Sequence, residues 1–196
     1  MHYRSYIGKP DGYDILAANQ FEVLNHLGLR EFHKILDLGC GSLRLGRILI
    51  PYLLKHGYFG VEPNIQLIMD GVENELGWDA IKIKQPQFLP VEDFSLWRLA
   101  TQFDFVIAHS IFTHTYPELA VHALQNVKQV LAPRGLLVCT FIEVDKQPFY
   151  SKEGWEYPVC LGYTKEVIHS FFDKAGFKGE PLNFPNPCQS WWLGYN

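Results

Sequence analysis

The sequence lacks the features that mark several classes of protein. Of its 196 residues, 17 are Lys or Arg and 21 are Asp or Glu, so the formal net charge is −4. Proteins that bind nucleic acid neutralise phosphates with an excess of positive charge, so this balance counts against a nucleic-acid partner. The sequence also has no internal repeat and no low-complexity tract, and with 47% hydrophobic residues it is neither fibrous nor disordered in composition.

Clustered cysteines and long apolar runs are also missing. The 4 cysteines are far apart and form no C-x-x-C pair, so we expect no zinc site, no other metal and no disulfide framework. No stretch approaches 18 uncharged apolar residues, and the N-terminus has no apolar signal-like region. We therefore expect no membrane partner and a cytoplasmic location.

Short apolar runs alternate with segments of helical periodicity. Each run is rich in Ile, Val, Phe or Leu, which is typical of strands buried on both faces. Two further strands are expected near the C-terminus, and they must pair antiparallel because no helix separates them. The seven predicted strands are Lys34–Leu38, Tyr58–Glu62, Ile81–Lys84, Phe103–Ala108, Gly135–Ile142, Phe177–Phe184 and Gln189–Tyr195.

The helical segments lie between these strands and carry recognisable ends. Gly28, Gly57 and Gly176 follow three of the segments as expected stops, while Asn64 and Pro117 suit helix starts. The pattern predicts an α/β fold with a mostly parallel seven-stranded sheet, helices on both faces and an antiparallel C-terminal hairpin strand. The predicted helices are Asp11–Leu27, Leu43–His56, Asn64–Gly77, Glu92–Thr101, Pro117–Leu131 and Thr164–Ala175.

The most informative segment is the turn that follows the first predicted strand. The strand runs into Asp37 and is followed by Gly39 and Gly41, which let the backbone turn sharply and approach a ligand. A plain strand-to-helix turn would look the same. However, Glu62 ends the next strand at the spacing expected for an acid that binds ribose hydroxyls, so the two features together predict a nucleoside site.

The same segment argues against a dinucleotide. The dinucleotide fingerprint is G-x-G-x-x-G, and Arg44 stands at its third glycine. Asp37, just before the glycines, would repel phosphate and is better matched to a cationic ligand.

In these features the sequence resembles class I S-adenosylmethionine-dependent methyltransferases of the small-molecule type. The resemblance covers the chain from about Lys34 to the C-terminus and implies a Rossmann-like three-layer sandwich. Leu43 departs from the pattern, because the family commonly has a third glycine there. The matching motifs, in order, are the acid and glycines Asp37–Gly41, the acid Glu62, the strand segment Phe103–Ser110 and the helix–Pro–Gly–strand pattern Leu124–Val138.

The resemblance also implies the positions that bind S-adenosylmethionine. Gly39, Cys40 and Gly41 would face its methionine part, Glu62 its ribose hydroxyls and Phe88 its adenine, although Phe88 is equally consistent with a core aromatic. The full set of predicted cofactor-binding residues is Asp37, Gly39, Cys40, Gly41, Ser42, Glu62, Pro63, Phe88, His109 and Ser110.

The predicted catalytic residues are His114 and Tyr13. Related small-molecule methyltransferases often place a histidine where His114 falls, and some members use it together with an N-terminal tyrosine. A base is needed only if the acceptor arrives protonated, and the alternative is that His114 caps or packs beside the following helix. Aromatic residues near the N-terminus and after Ile142 suit the walls of an acceptor site or the packing of a lid.

The sequence thus predicts a single domain that transfers a methyl group to an O or N atom of a small molecule. Within it we expect an N-terminal lid and helix over residues 1–30, a cofactor-binding half over 34–142 and an acceptor-side half over 143–196. Two alternatives stay open, namely a methyltransferase acting on protein or RNA and a non-catalytic cofactor-binding subunit. The sequence does not identify the acceptor or the oligomeric state.

Overall fold

The structure is a computed structural model that describes residues 2–8 and 10–196. The chain divides into two compact units, one ending at Glu92 and the other beginning at Asp93. In the described residues the strands and helices alternate as the sequence predicts, with mostly parallel pairing.

The described residues of the first unit form three parallel strands and four α-helices. The strands are β1 (Ile35–Leu38), β2 (Tyr58–Val61) and β3 (Gln87–Leu89), and β2 pairs with both of the others. All residues of β1 and β2 are buried, as expected for strands covered on both faces. The helices are α1 (Tyr13–His26), α2 (Gly46–Tyr52), α3 (Ile65–Gly71) and α4 (Trp78–Lys84).

The local signals explain most of these boundaries. The Asn64 side chain accepts a hydrogen bond from the Gln66 backbone N–H at 3.1 Å and caps the start of α3. The helix predicted to continue to Gly77 changes to one π-helical turn, Val72–Leu76, before it ends. Before α1, short 3₁₀ turns cover Tyr3–Ile7 and Pro10–Gly12.

The predicted strand Ile81–Lys84 is wrong, because this segment is the end of α4. Apolar runs this short do not distinguish a strand from a helix by periodicity. Here Asp79 in the first turn and lysines in the last turn favour a helix, which ends at Gln85 in the left-handed region (φ 50°). The strand lies three residues later, in β3.

The second unit contains five strands and two long helices. The strands are β4 (Phe103–Ala108), β5 (Leu131–Glu143), β6 (Gly162–Tyr163), β7 (Lys178–Leu182) and β8 (Ser190–Tyr195). β4 pairs parallel with β5, and β8 runs antiparallel to both β5 and β7, which confirms the predicted hairpin. The two-residue β6 also pairs with β5 and makes one strand more than the seven predicted.

The helices of this unit are α5 (Pro117–Val130) and α6 (Lys165–Ala175). Pro117 occupies the first turn of α5, as expected for a residue without a backbone N–H. The core is aromatic: Phe141 of β5 contacts Phe171 and Phe172 of α6, and Trp192 of β8 stacks on Phe172.

The predicted helix Glu92–Thr101 is also wrong, because only a 3₁₀ turn forms there, over Leu96–Leu99. Phe94 and Ala100 adopt positive φ angles of 58° and 49°, which interrupt a regular helix on both sides. Asp93 instead accepts a hydrogen bond from the Ser95 backbone N–H at 3.0 Å, an alternative to helical bonding that aspartate commonly provides.

Candidate cofactor site

The glycine loop follows β1 and turns as the sequence predicts. Gly39 and Gly41 have φ angles of 76° and 52°, in the left-handed region that glycine enters without steric cost. The backbone N–H groups of Gly39 and Cys40 donate to the Val61 carbonyl at 2.8 and 3.0 Å. These hydrogen bonds join the loop to the last residue of β2, which Glu62 follows directly.

Leu43 is a third left-handed residue in this loop, with φ 60°. It stands where related proteins commonly have glycine, and a non-glycine residue in this conformation costs about 1–2 kcal/mol. The side chain is fully buried. A Cβ added at Gly46 of α2 or Gly71 of α3 would lie 3.2 or 3.1 Å from the Leu43 Cβ. The two helix glycines therefore leave the room that Leu43 occupies.

The Glu62 carboxylate contacts the glycine loop directly. Its Oε2 accepts from the Gly41 backbone N–H at 3.2 Å, and its Oε1 accepts from the Asn64 N–H at 2.9 Å. Burial raises the pKa of the Glu62 carboxyl, and the two backbone hydrogen bonds partly oppose that rise. Pro63, between Glu62 and Asn64, is exposed. The structure thus brings Gly41 of the glycine loop into contact with the acid that follows it by 21 residues.

Asp37 lies in β1 and is buried. The Tyr58 hydroxyl donates to its Oδ2 at 2.7 Å. Burial raises the pKa of Asp37 to about 6, while the Tyr58 hydrogen bond and the charge of Arg44 oppose the rise. Asp37 therefore links β1 to β2, and its predicted contact with the cofactor stays a prediction.

Cys40 and Phe88 both lie close to Gly60 of β2. A Cβ added at Gly60 would lie 2.8 Å from the Cys40 Sγ and 2.9 Å from the Phe88 Cδ1. Burial raises the pKa of the Cys40 thiol well above its usual value, so the thiol is neutral and inert. Phe88 is half-buried and meets Tyr58 edge-on, with ring centroids 6.1 Å apart.

Ser42 and Tyr13 are joined by a hydrogen bond. The Tyr13 hydroxyl donates to the Ser42 carbonyl at 2.9 Å, and both residues are buried. The Ser42 hydroxyl is buried without a hydrogen-bond partner in the described part of the chain. Burial raises the pKa of Tyr13 to about 12, so its hydroxyl stays protonated as a donor. An action of Tyr13 on the acceptor would require this hydroxyl to leave the Ser42 carbonyl.

In the second unit, His109 and Ser110 follow the end of β4. Ser110 has a left-handed φ of 62°, and its backbone N–H donates to the Thr140 Oγ1 at 2.8 Å. The Gln189 side-chain amide donates to the Ser110 hydroxyl at 3.0 Å, and the His109 ring meets Trp191 edge-on. Strained backbone of this kind is common at functional sites, although the predicted cofactor contact stays a prediction.

The ring of His114 is oriented by two backbone carbonyls. Its Nδ1 lies 3.1 Å from the Glu156 carbonyl oxygen and 3.0 Å from that of Val159. A carbonyl oxygen can only accept, so Nδ1 must carry the proton that both contacts share. In the neutral ring, Nε2 then holds the free lone pair, which is the arrangement that a general base requires.

The comparisons with known proteins agree with this geometry. A model of the family described as a methyltransferase domain matches residues 36–137, just over half of the chain. The chain belongs to this methyltransferase domain family. The resemblance inferred from the sequence motifs is thereby confirmed.

Solved methyltransferase structures share the fold of this methyltransferase at low sequence identity. A DhpI complex with SAH has a TM-score of 0.71 at 13% identity, over 98% of this chain and 90% of that one. Magnesium protoporphyrin IX methyltransferase from Synechocystis PCC 6803, with bound SAM, has a TM-score of 0.67 at 14% identity, over 100% and 90%. Human N-acetylserotonin methyltransferase in complex with SAM has a TM-score of 0.66 at 15% identity, over 94% of this chain and 53% of that one.

Several contacts of this methyltransferase could not be read from its sequence. Gln189 stands in a turn without a motif, and the carbonyls of Glu156 and Val159 belong to backbone that carries no sequence signal. Across residues 2–8 and 10–196, no group of His, Cys, Asp or Glu side chains is placed to hold a metal ion. Over the same residues, no helix has the length and apolar character that crossing a bilayer requires.

Proposed function

We propose that this methyltransferase uses S-adenosylmethionine to methylate an O or N atom of a small molecule. The observation that carries the proposal is the contact between the Gly41 backbone N–H and the Glu62 carboxylate at 3.2 Å, which joins a glycine turn to an acid at the next strand end. Magnesium protoporphyrin IX methyltransferase with bound SAM and human N-acetylserotonin methyltransferase in complex with SAM support the cofactor and a small acceptor by their names.

The residues of the first unit fit this cofactor chemically. The Glu62 carboxylate accepts two backbone hydrogen bonds, and a carboxylate offers about four lone-pair sites, so both oxygens can also accept from ribose hydroxyls. Gly39, Cys40 and Gly41 would hold the methionine part, and the half-buried Phe88 would flank the adenine. The carboxylate of Glu62 also suits a ligand that carries a positive charge.

Bound S-adenosylmethionine would supply a methyl group activated by its sulfonium. The protein orients the acceptor and, where the acceptor arrives protonated, takes up its proton. We propose that the proton of the acceptor passes to the Nε2 atom of His114. This atom is free to accept it because the carbonyls of Glu156 and Val159 hold the proton of the neutral ring on Nδ1. The ring of Tyr157 lies beside that of His114, with ring centroids 5.1 Å apart.

Aromatic side chains of the segment between β5 and β6 are available to contact the acceptor. Phe149 is 91% exposed, and Trp155 stacks on Phe94 with ring centroids 5.3 Å apart. We assign these side chains to the acceptor side because aromatic faces suit planar or cationic molecules. A cytoplasmic location and the expected absence of a nucleic-acid partner stay predictions.

A methyl-acceptor screen that monitors release of S-adenosylhomocysteine tests the proposed function. The screen contains phenols, carboxylic acids and amines, with protein and RNA substrates as separate arms. We expect release to depend on a small acceptor. Release with only protein or RNA would overturn the small-molecule acceptor, and cofactor binding without release in any arm would favour a non-catalytic cofactor-binding subunit.

A further inference from the structure

Glu75 is a buried carboxylate that none of the assignments above uses. It lies in the π-helical turn Val72–Leu76, and its side chain is only 4% exposed. The Tyr3 hydroxyl and the Arg4 Nε each donate to its Oε1 at 2.6 Å. Arg47 of α2 approaches its Oε2 at 3.4 Å. One carboxylate therefore binds both the N-terminal segment and the helix that follows the glycine loop.

The two arginines held by Glu75 both face the ring of Tyr13. The guanidinium carbon of Arg4 lies 4.3 Å from the centre of that ring, and that of Arg47 lies 5.2 Å from it. These distances are within the range of cation–π attraction. Arg47 is also paired with the exposed Asp14 at 2.5 Å. The orientation of the Tyr13 ring thus depends on cations whose buried partner is Glu75.

Tyr13 transmits this orientation to the glycine loop. Its hydroxyl donates to the Ser42 carbonyl at 2.9 Å, and the next residue, Leu43, is held at φ 60°. Because a residue with a side chain resists this conformation, the loop needs contacts from outside to stay there. The Tyr13 hydrogen bond is such a contact, and it acts one residue before the strained position.

We propose that Glu75 is a positioning residue of the cofactor site. It acts through Arg4, Arg47 and Tyr13 to keep the Ser42–Leu43 end of the glycine loop in the conformation that binds the cofactor. This inference rests on the proposed placement of the cofactor at the glycine loop and is independent of the acceptor chemistry.

Calorimetric titration of full-length variants with S-adenosylhomocysteine tests the inference. We expect Glu75→Gln and Tyr13→Phe each to weaken binding by about tenfold, the effect of losing one buried ion pair or one buried hydrogen bond from this chain of contacts. The double variant should be weaker than either single variant by no more than about twofold, because both changes break the same chain of contacts. The matched control is Glu73→Gln, an exposed acid in the same turn, which should bind like the wild type.

A purely structural role for Glu75 would give a different result. It would lower the melting temperature while leaving the affinity of the folded protein unchanged, so titrations are made where circular dichroism shows each variant folded. Unchanged affinity in Glu75→Gln, or effects that multiply in the double variant, would overturn the inference. If Glu75→Gln does not fold, Arg4→Gln takes its place with the same expectations, because it removes the cation nearer to the Tyr13 ring while Glu75 keeps Arg47 as a partner.

Glu62→Ala is titrated alongside to separate this inference from the placement of the cofactor. Weak binding by Glu62→Ala together with normal binding by Glu75→Gln would reject only the role of Glu75. Normal binding by both variants would reject the cofactor site at the glycine loop.

Discussion

Replacing Glu62 with alanine removes the carboxylate that we assign to the ribose hydroxyls. Hydrogen bonds to a charged group contribute about 1.5–3 kcal/mol each. Loss of one bond at the lower end corresponds to roughly a tenfold weaker affinity, and loss of two to roughly a hundredfold. Alanine also leaves the N–H groups of Gly41 and Asn64 without their acceptor, which loosens the glycine loop and adds to the loss.

Calorimetric titration with S-adenosylhomocysteine measures this change directly. We expect the dissociation constant of Glu62→Ala to rise by roughly ten- to a hundredfold, and that of Glu62→Gln to rise less, because glutamine keeps one acceptor oxygen. Glu73→Ala, an exposed acid of the same unit, is the control for a general effect of charge. Wild-type affinity in folded Glu62→Ala would show that Glu62 does not contact the cofactor and only bonds to the backbone around it.

Three further changes test other parts of the account. His114→Asn should keep cofactor affinity and melting temperature but lose about 10²–10⁴ in turnover, and turnover within a few-fold of wild type would make His114 structural. Because the pKa of Asp37 is raised from 3.8 to about 6, protonated Asp37 favours the folded state, and this stabilisation is full below pH 3.8 and is lost as pH rises through about 6. Asp37→Asn should therefore flatten the fall in the free energy of unfolding over that range, and an unchanged pH profile would contradict the burial argument. Leu43→Gly should lower the free energy of unfolding measured in urea. The relief of about 1–2 kcal/mol of backbone strain is smaller than the roughly 2–5 kcal/mol lost when a buried leucine is truncated. A stabilised variant would contradict the packing of Leu43 against Gly46 and Gly71.

The parts of the fold that the sequence predicts are those set by local signals. The positions of Gly39, Gly41 and Glu62 were predictable from the sequence. Glycine favours the positive φ angles of the turn, and the apolar runs before these residues mark where β1 and β2 end. The segment Ile81–Lys84 could not, since alternating isoleucines and lysines suit a short helix as well as a strand. Phe94 and Ala100 adopt left-handed conformations, which phenylalanine and alanine rarely do, so the sequence does not predict them.

The contacts around the predicted residues depend on packing between distant segments. The two carbonyls that orient His114 come from residues 42 and 45 positions later in the chain. Glu75 lies 71 residues from Arg4, in a π-helical turn that the sequence does not predict. The sequence therefore predicts which residues carry the chemical groups, whereas the orientation of those groups depends on contacts between distant segments of the folded chain.

The central claim, that this methyltransferase binds an adenosyl cofactor at the glycine loop, is tested most directly by thermal unfolding with S-adenosylhomocysteine and with NADH. At ligand concentrations about 100 times the dissociation constant, S-adenosylhomocysteine should stabilise the wild-type fold by about 2.7 kcal/mol and raise its melting temperature. It should do so at much higher concentrations for Glu62→Ala, and NADH should have no effect on either protein. Stabilisation by NADH without stabilisation by S-adenosylhomocysteine would contradict the claim.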